Sequence, residues 1–112
     1  MGAEEIRWLG DSQQRSWRAL ANAKMSIDDI DLVEINEAFA AQVVPSYQDL
    51  GVDLDRLNVN GGAIAVGHPF GMTGARLQNT MLNSLDFHDK STGLITMCVG
   101  GGQGMALILE RL

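Results

Sequence analysis

A chain of 112 residues that is 46% hydrophobic and carries a formal net charge of −6 is long enough for one globular domain with a modest core. It has no apolar run of about 18 residues and no basic start followed by an apolar block, so we expect neither a membrane span nor a secretory signal. Its 8 lysines and arginines are scattered, which argues against a nucleic-acid partner. A soluble protein is expected, in the cytoplasm or in an organelle matrix.

The first half of the chain is predicted to alternate helix and strand after a lead-in over residues 1–11, whose MGA start is typical of residues added by cloning. The predicted elements are a helix from Asp11, a turn over 26–30, a strand over 31–35 and a helix over 37–50. Pro45 is expected to kink the second helix or to end its regular part, and Gly51 to cap its C-terminus.

The second half is richer in glycine, because ten of the 13 glycines lie between Gly61 and Gly104. Its predicted elements are a strand over 57–60, a glycine-rich loop, a helix over 73–85 and strands over 93–99 and 105–112. The last two strands are joined by GGGQG, which predicts a hairpin and therefore a mixed sheet. The predicted fold class is α/β, a layered domain with a mixed sheet flanked by helices.

Three places in the chain are candidates for chemistry: Asn36 with Glu37, His68, and Cys98. Each lies near the end of a predicted strand, where α/β sheets expose functional groups. Each also has a structural interpretation, as a helix N-cap, a loop residue and a small buried hydrophobe respectively. The single cysteine excludes an internal disulfide, and no metal site is predicted, because no two of His68, His88 and Cys98 have the spacing of metal ligands.

Three sequence blocks carry a resemblance that bears on these alternatives: VEINEAFAAQ, NVNGGAIAVGHPFGMTGAR and CVGGGQGMALILE. They resemble the signature blocks of the C-terminal domain of the thiolases, the acetyl-CoA C-acyltransferases. They occur in the family's order, with 32 residues from Asn36 to His68 and 30 from His68 to Cys98. DSQQRSWRALANAKMSIDDIDL resembles the segment before the first block, so the resemblance implies a partial thiolase C-terminal domain over residues 12–112.

The resemblance implies a role for each candidate residue. His68 resembles the histidine that activates the nucleophilic cysteine and helps to bind the thioester oxygen, and Asn36 the asparagine that holds a water completing this oxyanion site. Cys98 resembles the second cysteine, the acid/base at the substrate's α-carbon or thiol, and Gly100 the glycine whose N–H serves the other oxyanion site. Two sets of aimed donors suit Claisen chemistry, which twice builds negative charge on a thioester oxygen.

The same resemblance implies substrates and partners. Ala38 and Phe39 resemble residues that line the pantetheine channel, and Glu37 is expected to support the loops. Coenzyme A and acyl-CoA are expected as substrates, with no covalently bound cofactor. The reaction is thiolytic cleavage of 3-ketoacyl-CoA or Claisen condensation of acetyl-CoA, as in β-oxidation and lipid metabolism. The full enzyme is expected to be a homo-oligomer; its acyl chain length, direction and subunit number stay open.

The sequence departs from the thiolase pattern in one respect, because it contains no second cysteine. Thiolases carry the acylated cysteine in an N-terminal half, so we expect a fragment that is inactive without that missing half. An expressed C-terminal region and a separate subunit are the alternatives. The alternative function is a non-catalytic, thiolase-like binding or interaction module. The condensing enzymes of fatty-acid or polyketide synthesis resemble it less, because they lack a cysteine at the position of Cys98.

Overall fold

The structure is a computed structural model that describes residues 14–99 and 103–112. Its elements are α1 over 14–23, β1 (Leu32–Ile35), α2 (Ala40–Leu50), α3 (Ala63–Val66), α4 (Thr73–Phe87), β2 (Thr92–Val99) and β3 (Gln103–Glu110). The predicted lead-in over 1–11, the predicted helix start at Asp11 and the predicted site residue Gly100 lie outside the described residues. None of the described helices combines the length and hydropathy of a membrane-spanning segment.

The three strands form one sheet in the order β1-β2-β3. β1 runs parallel to β2, with Leu32 opposite Gly93, and β2 runs antiparallel to β3, with Cys98 opposite Gly104. The predicted hairpin and the predicted mixed sheet are therefore confirmed. Because β1 and β2 are parallel, their carboxyl ends lie at the same edge of the sheet, and this edge carries Asn36 and Cys98.

Helices cover both faces of the sheet. The side chains of each strand alternate between the two faces, and the apolar ones pack against helices on either side. One core cluster, which joins the sheet to α1 and α2, contains Leu20, Ile30, Val33, Ile35, Val43, Leu50, Val52 and Leu94. The other, which joins the sheet to α4, contains Leu32, Leu77, Met81, Leu85 and Ile95. The sheet is the middle layer between the two clusters, which confirms the predicted α/β layered fold.

Residues 57–60 do not form the predicted strand. Only Leu57 makes a bridge with β1, opposite Val33. The backbone then leaves the extended conformation at Asn58, whose φ is 45°. The side chain of Asn58 bonds the β1 backbone instead, since its amide donates to the Ile35 carbonyl and its oxygen accepts from the Ile35 N–H, both at 2.9 Å. One side chain thus makes the pair of hydrogen bonds that a further strand residue would have made.

Helix α2 differs from its prediction at one end and agrees at the other. It begins at Ala40 rather than at residue 37, with Phe39 as its N-cap. It continues through Pro45 to Leu50, so Pro45 does not end it. Gly51 adopts a φ of 72°, the left-handed conformation that favours glycine, which confirms the predicted C-cap.

The contact between β2 and α4 leaves no room for a side chain at Gly93. A Cβ added there would lie 2.3 Å from Sδ of Met81, which is fully buried. Gly93→Ala is therefore expected to lower the free energy of unfolding by about 1–3 kcal/mol, as overpacked cores do. Urea unfolding of the variant measures this loss.

The control for this prediction is Gly74→Ala in the first turn of α4. An added Cβ there would meet Sδ of Met97 at 3.9 Å, an ordinary contact. The variant is expected to keep the stability of the chain or to gain up to about 1 kcal/mol from helix propensity. Equal stabilities for Gly93→Ala and Gly74→Ala would show that Met81 moves aside freely, contrary to the prediction.

Candidate active site

The loop between α3 and α4 carries His68. It leaves α3 at Gly67, with φ of 87°, and turns again at Gly71, with φ of 74°. Both angles lie in the region that glycine adopts without steric cost. The Met72 N–H donates to the Pro69 carbonyl at 3.3 Å and closes the turn before α4. The loop therefore brings His68 back to the first residue of α4.

A hydrogen bond joins Nδ1 of His68 to the hydroxyl of Thr73. Thr73 is the first residue of α4 and is only 2% exposed, so a packed helix holds one side of the imidazole. Either Nδ1–H donates to the hydroxyl oxygen, or the hydroxyl donates to Nδ1. In both cases Nε2 remains for a reacting group. His68 itself is exposed, so its ring stays accessible.

Cys98 lies close to the end of β2, is half-buried and forms no disulfide. It lines a cleft of about 420 Å³ together with His68 and Thr73. The remaining lining residues are Pro69, Phe70, Gly71, Gly74, Ala75, Met97 and Met105. The structure thus brings together a thiol and an imidazole that lie 30 residues apart along the chain. The cleft therefore has mostly apolar walls and contains two groups, a thiol and an imidazole, that each can give or take a proton.

Asn36 follows β1 directly and is 1% exposed. Its N–H donates to the Thr96 carbonyl at 2.9 Å, which fixes its backbone on β2. Because Phe39 is the N-cap of α2, the interpretation of Asn36 as an N-cap is wrong. Its side-chain amide makes no hydrogen bond to the other described residues, so a donor and an acceptor stay available. Asn36 lies at the same sheet edge as Cys98 but does not line the cleft.

Ala38 and Phe39, predicted to line the pantetheine channel, lie in the connection between β1 and α2. Ala38 is half-buried and the Phe39 side chain is 63% exposed. The Phe39 carbonyl accepts from the N–H groups of Gln42 and Val43, in the first turn of α2. Neither Ala38 nor Phe39 belongs to the residues that line the cleft.

A buried carboxylate lies behind the site, on the face of β1 that packs against α4. Glu34 is 1% exposed, and its Oε2 lies 4.0 Å from Nη1 of Arg76 on α4. Burial raises the pKa of Glu34 to about 7, although Arg76 acts to lower it, and the nearby carboxylate of Glu37 raises it further. This carboxyl group is therefore partly protonated at neutral pH.

Three polar side chains fasten the loop over residues 58–62 behind the site. Asn58 bonds β1, as described above, and the amide of Asn60 donates to the Ser84 hydroxyl of α4 at 2.5 Å. The Glu37 carboxylate lies against Gly62, where an added Cβ would approach Oε1 to 1.8 Å. This contact agrees with the expectation that Glu37 supports the loops.

The sequence did not predict three features of the site: Thr73, Asn58 and the pair of Glu34 with Arg76. The two members of the pair had a signal in the sequence. Glu34 is a charged residue within the short apolar strand LVEI, and Arg76 is the charged residue of the GMTGAR stretch. A carboxylate in such a strand needs a partner, since lone buried charges are costly.

Two other features of the described residues bear on the predictions. A second cleft of about 340 Å³ is lined by Arg56, His88, Lys90 and several acidic and apolar residues, but by none of the predicted site residues. In residues 14–99 and 103–112, no three His, Cys, Asp or Glu side chains are grouped so that they could hold a metal ion.

Thr73→Val is expected to release the imidazole of His68, because valine keeps the shape of threonine but removes the hydroxyl. The loss of this hydrogen bond removes about 1 kcal/mol by which one tautomer of the neutral imidazole is favoured over the other. The ¹⁵N shifts of the neutral ring should therefore move toward those of a mixture of the two tautomers. Heteronuclear NMR of the chain measures these shifts.

The ring of His88 serves as the internal control for Thr73→Val. It lies at the other end of α4, where it contacts the Phe87 ring edge-on at 5.1 Å. Its ¹⁵N shifts should stay unchanged. Unchanged shifts for His68 in this variant would contradict the contact with Thr73.

Comparisons with known proteins agree on one family. A family model described as "Thiolase, C-terminal domain" matches residues 11–111. The acetyl-CoA acetyltransferase of Escherichia coli (strain K12) is 53% identical over 95 residues, which are 85% of this chain and 24% of that protein. A 3-ketoacyl-CoA thiolase of Shewanella sp. (strain ANA-3) is 50% identical over 98 residues, 85% of this chain and 25% of the relative.

Solved structures give the same result. The crystal structures of the Bacillus anthracis acetyl-CoA acetyltransferase and of the human mitochondrial 3-ketoacyl-CoA thiolase each superpose with a TM-score of 0.88 at 39% sequence identity. Each match covers 96% of this chain and 27% of the other. The chain thus spans about a quarter of the length of the relatives it matches.

Proposed function

Because this chain belongs to the thiolase family, we propose that residues 12–112 form part of the C-terminal domain of an enzyme that transfers acyl groups between coenzyme A and acyl-CoA. The observation that carries this proposal is the cleft that His68 and Cys98 line together. The proposed reaction is thiolytic cleavage of a 3-ketoacyl-CoA, or the reverse Claisen condensation. The names of the relatives include the corresponding substrates, acetyl-CoA and 3-ketoacyl-CoA.

His68 is the proposed base for the nucleophilic thiol, which the N-terminal half of a thiolase supplies. In the proposed tautomer Nδ1–H donates to the Thr73 hydroxyl, so that Nε2 carries no proton and takes the proton of this thiol. In condensation, the thiolate then attacks the thioester carbon of an acyl-CoA, Nε2–H donates to the oxygen that becomes negative, and the carbon–sulfur bond breaks, so that coenzyme A leaves with a proton from the Cys98 thiol. In cleavage, the thiolate attacks the 3-keto carbon of the 3-ketoacyl-CoA, the bond from this carbon to the α-carbon breaks, and the α-carbon takes the proton of the Cys98 thiol. A donor already aimed at this oxygen lowers the barrier, because it needs no reorganisation during the reaction.

Cys98 is the proposed acid/base for the second half of the reaction. Its thiolate takes a proton from the substrate's α-carbon in condensation, or from the thiol of coenzyme A in cleavage, and the thiol returns it in the reverse direction. Asn36 is proposed to hold the water that completes the first oxyanion site, which its unpaired and buried amide supports. Gly100, outside the described residues, is proposed to offer its N–H to the second oxyanion.

The proposed partners are substrates and the rest of the enzyme. Coenzyme A and acyl-CoA bind as substrates rather than as resident cofactors. Ala38 and Phe39 are proposed to contact the pantetheine arm, and the exposure of the Phe39 ring supports this role. The full enzyme is proposed to be a homo-oligomer that includes an N-terminal half, and this chain by itself is proposed to be inactive.

A chimaera tests the proposal. The segment of the Escherichia coli acetyl-CoA acetyltransferase that matches this chain is replaced by the sequence of this chain. We expect the chimaera to cleave a 3-ketoacyl-CoA only when coenzyme A is added, and the isolated chain to show no turnover. The E. coli enzyme without the exchanged segment is the negative control.

The result that would contradict the proposal is a folded chimaera of native oligomeric state that binds coenzyme A and turns over no substrate. This outcome would instead favour the non-catalytic, thiolase-like binding module. Circular dichroism and light scattering establish that the chimaera has folded before the assay is interpreted.

A further inference from the structure

We propose that Glu34 and Arg76 are positioning residues, which hold strand β1 with Asn36 in a fixed place relative to the first turn of helix α4, where Thr73 anchors His68. Their role in turnover rests on the proposed function. The pair itself can be tested in the chain without any assay of activity.

The two side chains meet across the layer between the sheet and α4. Glu34 lies on β1, and Asn36 follows the strand directly, two residues further on. Both therefore face the same side of the sheet as Leu32, which belongs to the core cluster with α4. Arg76 lies three residues after Thr73 on α4, so the two lie on neighbouring positions of one helix face. Nη1 of Arg76 is 4.0 Å from Oε2 of Glu34.

The surroundings of this pair are those of a core. The side chain of Glu34 is 2% exposed and that of Arg76 is 17% exposed. Both carboxylate oxygens of Glu34, together with Nε and Nη2 of Arg76, are buried without a hydrogen-bond partner among the described residues. When Glu34 is ionised, Arg76 is therefore its counter-charge, at ion-pair distance and without a hydrogen bond between them.

Stability alone does not account for a pair of this kind. Well-packed apolar side chains in the place of a buried ion pair are often as stable or more stable. The next position along the same face is apolar, since Leu32 belongs to the same core cluster as Leu77 of α4. Apolar contacts of this type tolerate sliding, whereas two opposite charges in a medium of low polarity favour one separation. The pair thus fixes the register between β1 and α4 where the candidate residues lie.

A second carboxylate connects the pair to the loop behind the site. Glu37 acts on Glu34 as a like charge, and its carboxylate lies against the backbone of Gly62. The positive charge of Arg76 therefore offsets two negative charges that lie near Asn36. Neutralising Arg76 should push the end of β1 and the loop away from α4.

The two histidines of the chain report this displacement separately. His68 lies before the first turn of α4, and His88 is the C-cap residue of the same helix. The experiment records the ring ¹⁵N shifts of both, and the side-chain amide signal of Asn36, in the 112-residue chain and in three variants. The variants are Glu34→Gln, Arg76→Met and Arg76→Lys.

In Glu34→Gln and Arg76→Met, we expect the His68 shifts to move toward those of Thr73→Val and the Asn36 amide signal to move, with His88 unchanged. Arg76→Lys keeps the charge and should restore part of the native shifts. In the chimaera, the two neutral variants should lower kcat about 10- to 100-fold with KM unchanged, since small displacements of reacting groups have effects of this size.

The proposal is overturned if Glu34→Gln folds and leaves both His68 and Asn36 unchanged. It is also overturned if His88 shifts as much as His68, because a general loosening of α4 would then explain the result. Should Arg76→Met fail to fold, Glu34→Gln and Arg76→Lys decide the question. An inactive chimaera would refute the proposed function but would leave the NMR comparison valid.

Discussion

Replacement of His68 by alanine in the chimaera is expected to lower kcat/KM for coenzyme A-dependent cleavage by about 10²- to 10⁴-fold, the range over which one positioned acid or base contributes. In the proposed mechanism, this variant loses Nε2 as proton acceptor for the nucleophilic thiol and as donor to the thioester oxygen. Steady-state kinetics with a 3-ketoacyl-CoA substrate measure the loss.

Cys98→Ala is expected to lower kcat/KM over the same range, because no other thiol is available in this chain.

The matched control is His88→Ala, which removes the other histidine of the chain. His88 is exposed and lines the second cleft, far along α4 from His68. Its variant should keep kcat/KM within twofold of the parent. If His68→Ala retained the activity of His88→Ala, the assignment of the cleft as the active site would be wrong.

The stability of the chain is expected to fall by about 3 kcal/mol between pH 4.5 and pH 8 because of Glu34. Its pKa is raised from 4.5 to about 7 in the folded chain, chiefly by burial, so the folded state holds a proton that the unfolded state has already released. Stability is therefore fully present below pH 4.5 and is lost as the pH rises through 7. Chemical unfolding at a series of pH values measures the decline.

Glu34→Gln isolates this contribution, because glutamine does not titrate. The difference in unfolding free energy between the parent and this variant should fall by about 3 kcal/mol over the same range. Glu110→Gln, at an exposed position of β3, controls for the removal of one carboxylate. A parent and a Glu34→Gln variant that follow the same pH dependence would show that Glu34 is not buried as the structure has it.

Asp31 does not interfere with this measurement. The Ser91 N–H, which donates to its carboxylate, lowers the pKa of Asp31 below its ordinary value of 3.8, even though partial burial opposes the shift. A lowered pKa stabilises the chain above pH 3.8, and the gain is lost only as the pH falls below that value. This contribution is constant between pH 4.5 and pH 8.

The same pair of side chains thus lowers stability at neutral pH and orders the site. A buried carboxylate that is partly protonated near pH 7 is a cost that an apolar residue would avoid. The proposed benefit is the fixed place of Asn36 relative to His68. These two predictions are separate, since the first is read from unfolding and the second from the native spectrum.

Local patterns in the sequence determined the fold class. Short apolar runs gave β1 and the last two strands within a few residues, because strands of a sheet that is covered on both faces are apolar along much of their length. Helical spacing of apolar residues gave α4, which buries one face against the sheet. Gly51 ended α2 as expected, since only a residue that adopts positive φ without strain closes a helix in this way. The hairpin of β2 and β3 and the mixed sheet were predicted, whereas the parallel pairing of β1 with β2 came from the structure.

The tertiary structure decided which contacts the side chains make with the backbone and with other side chains. Residues 57–60 do not form the predicted strand. The side-chain amide of Asn58 makes the two hydrogen bonds to the Ile35 backbone that a strand residue would have made. Thr73 was found only as the partner of His68, since a hydroxyl has no pattern that distinguishes packing from hydrogen bonding. The sequence by itself predicted which residues are candidates for the chemistry. Only the folded chain determined which of them meet, because the cleft joins segments whose proximity depends on the pairing of β2 with β3 and the packing of α4.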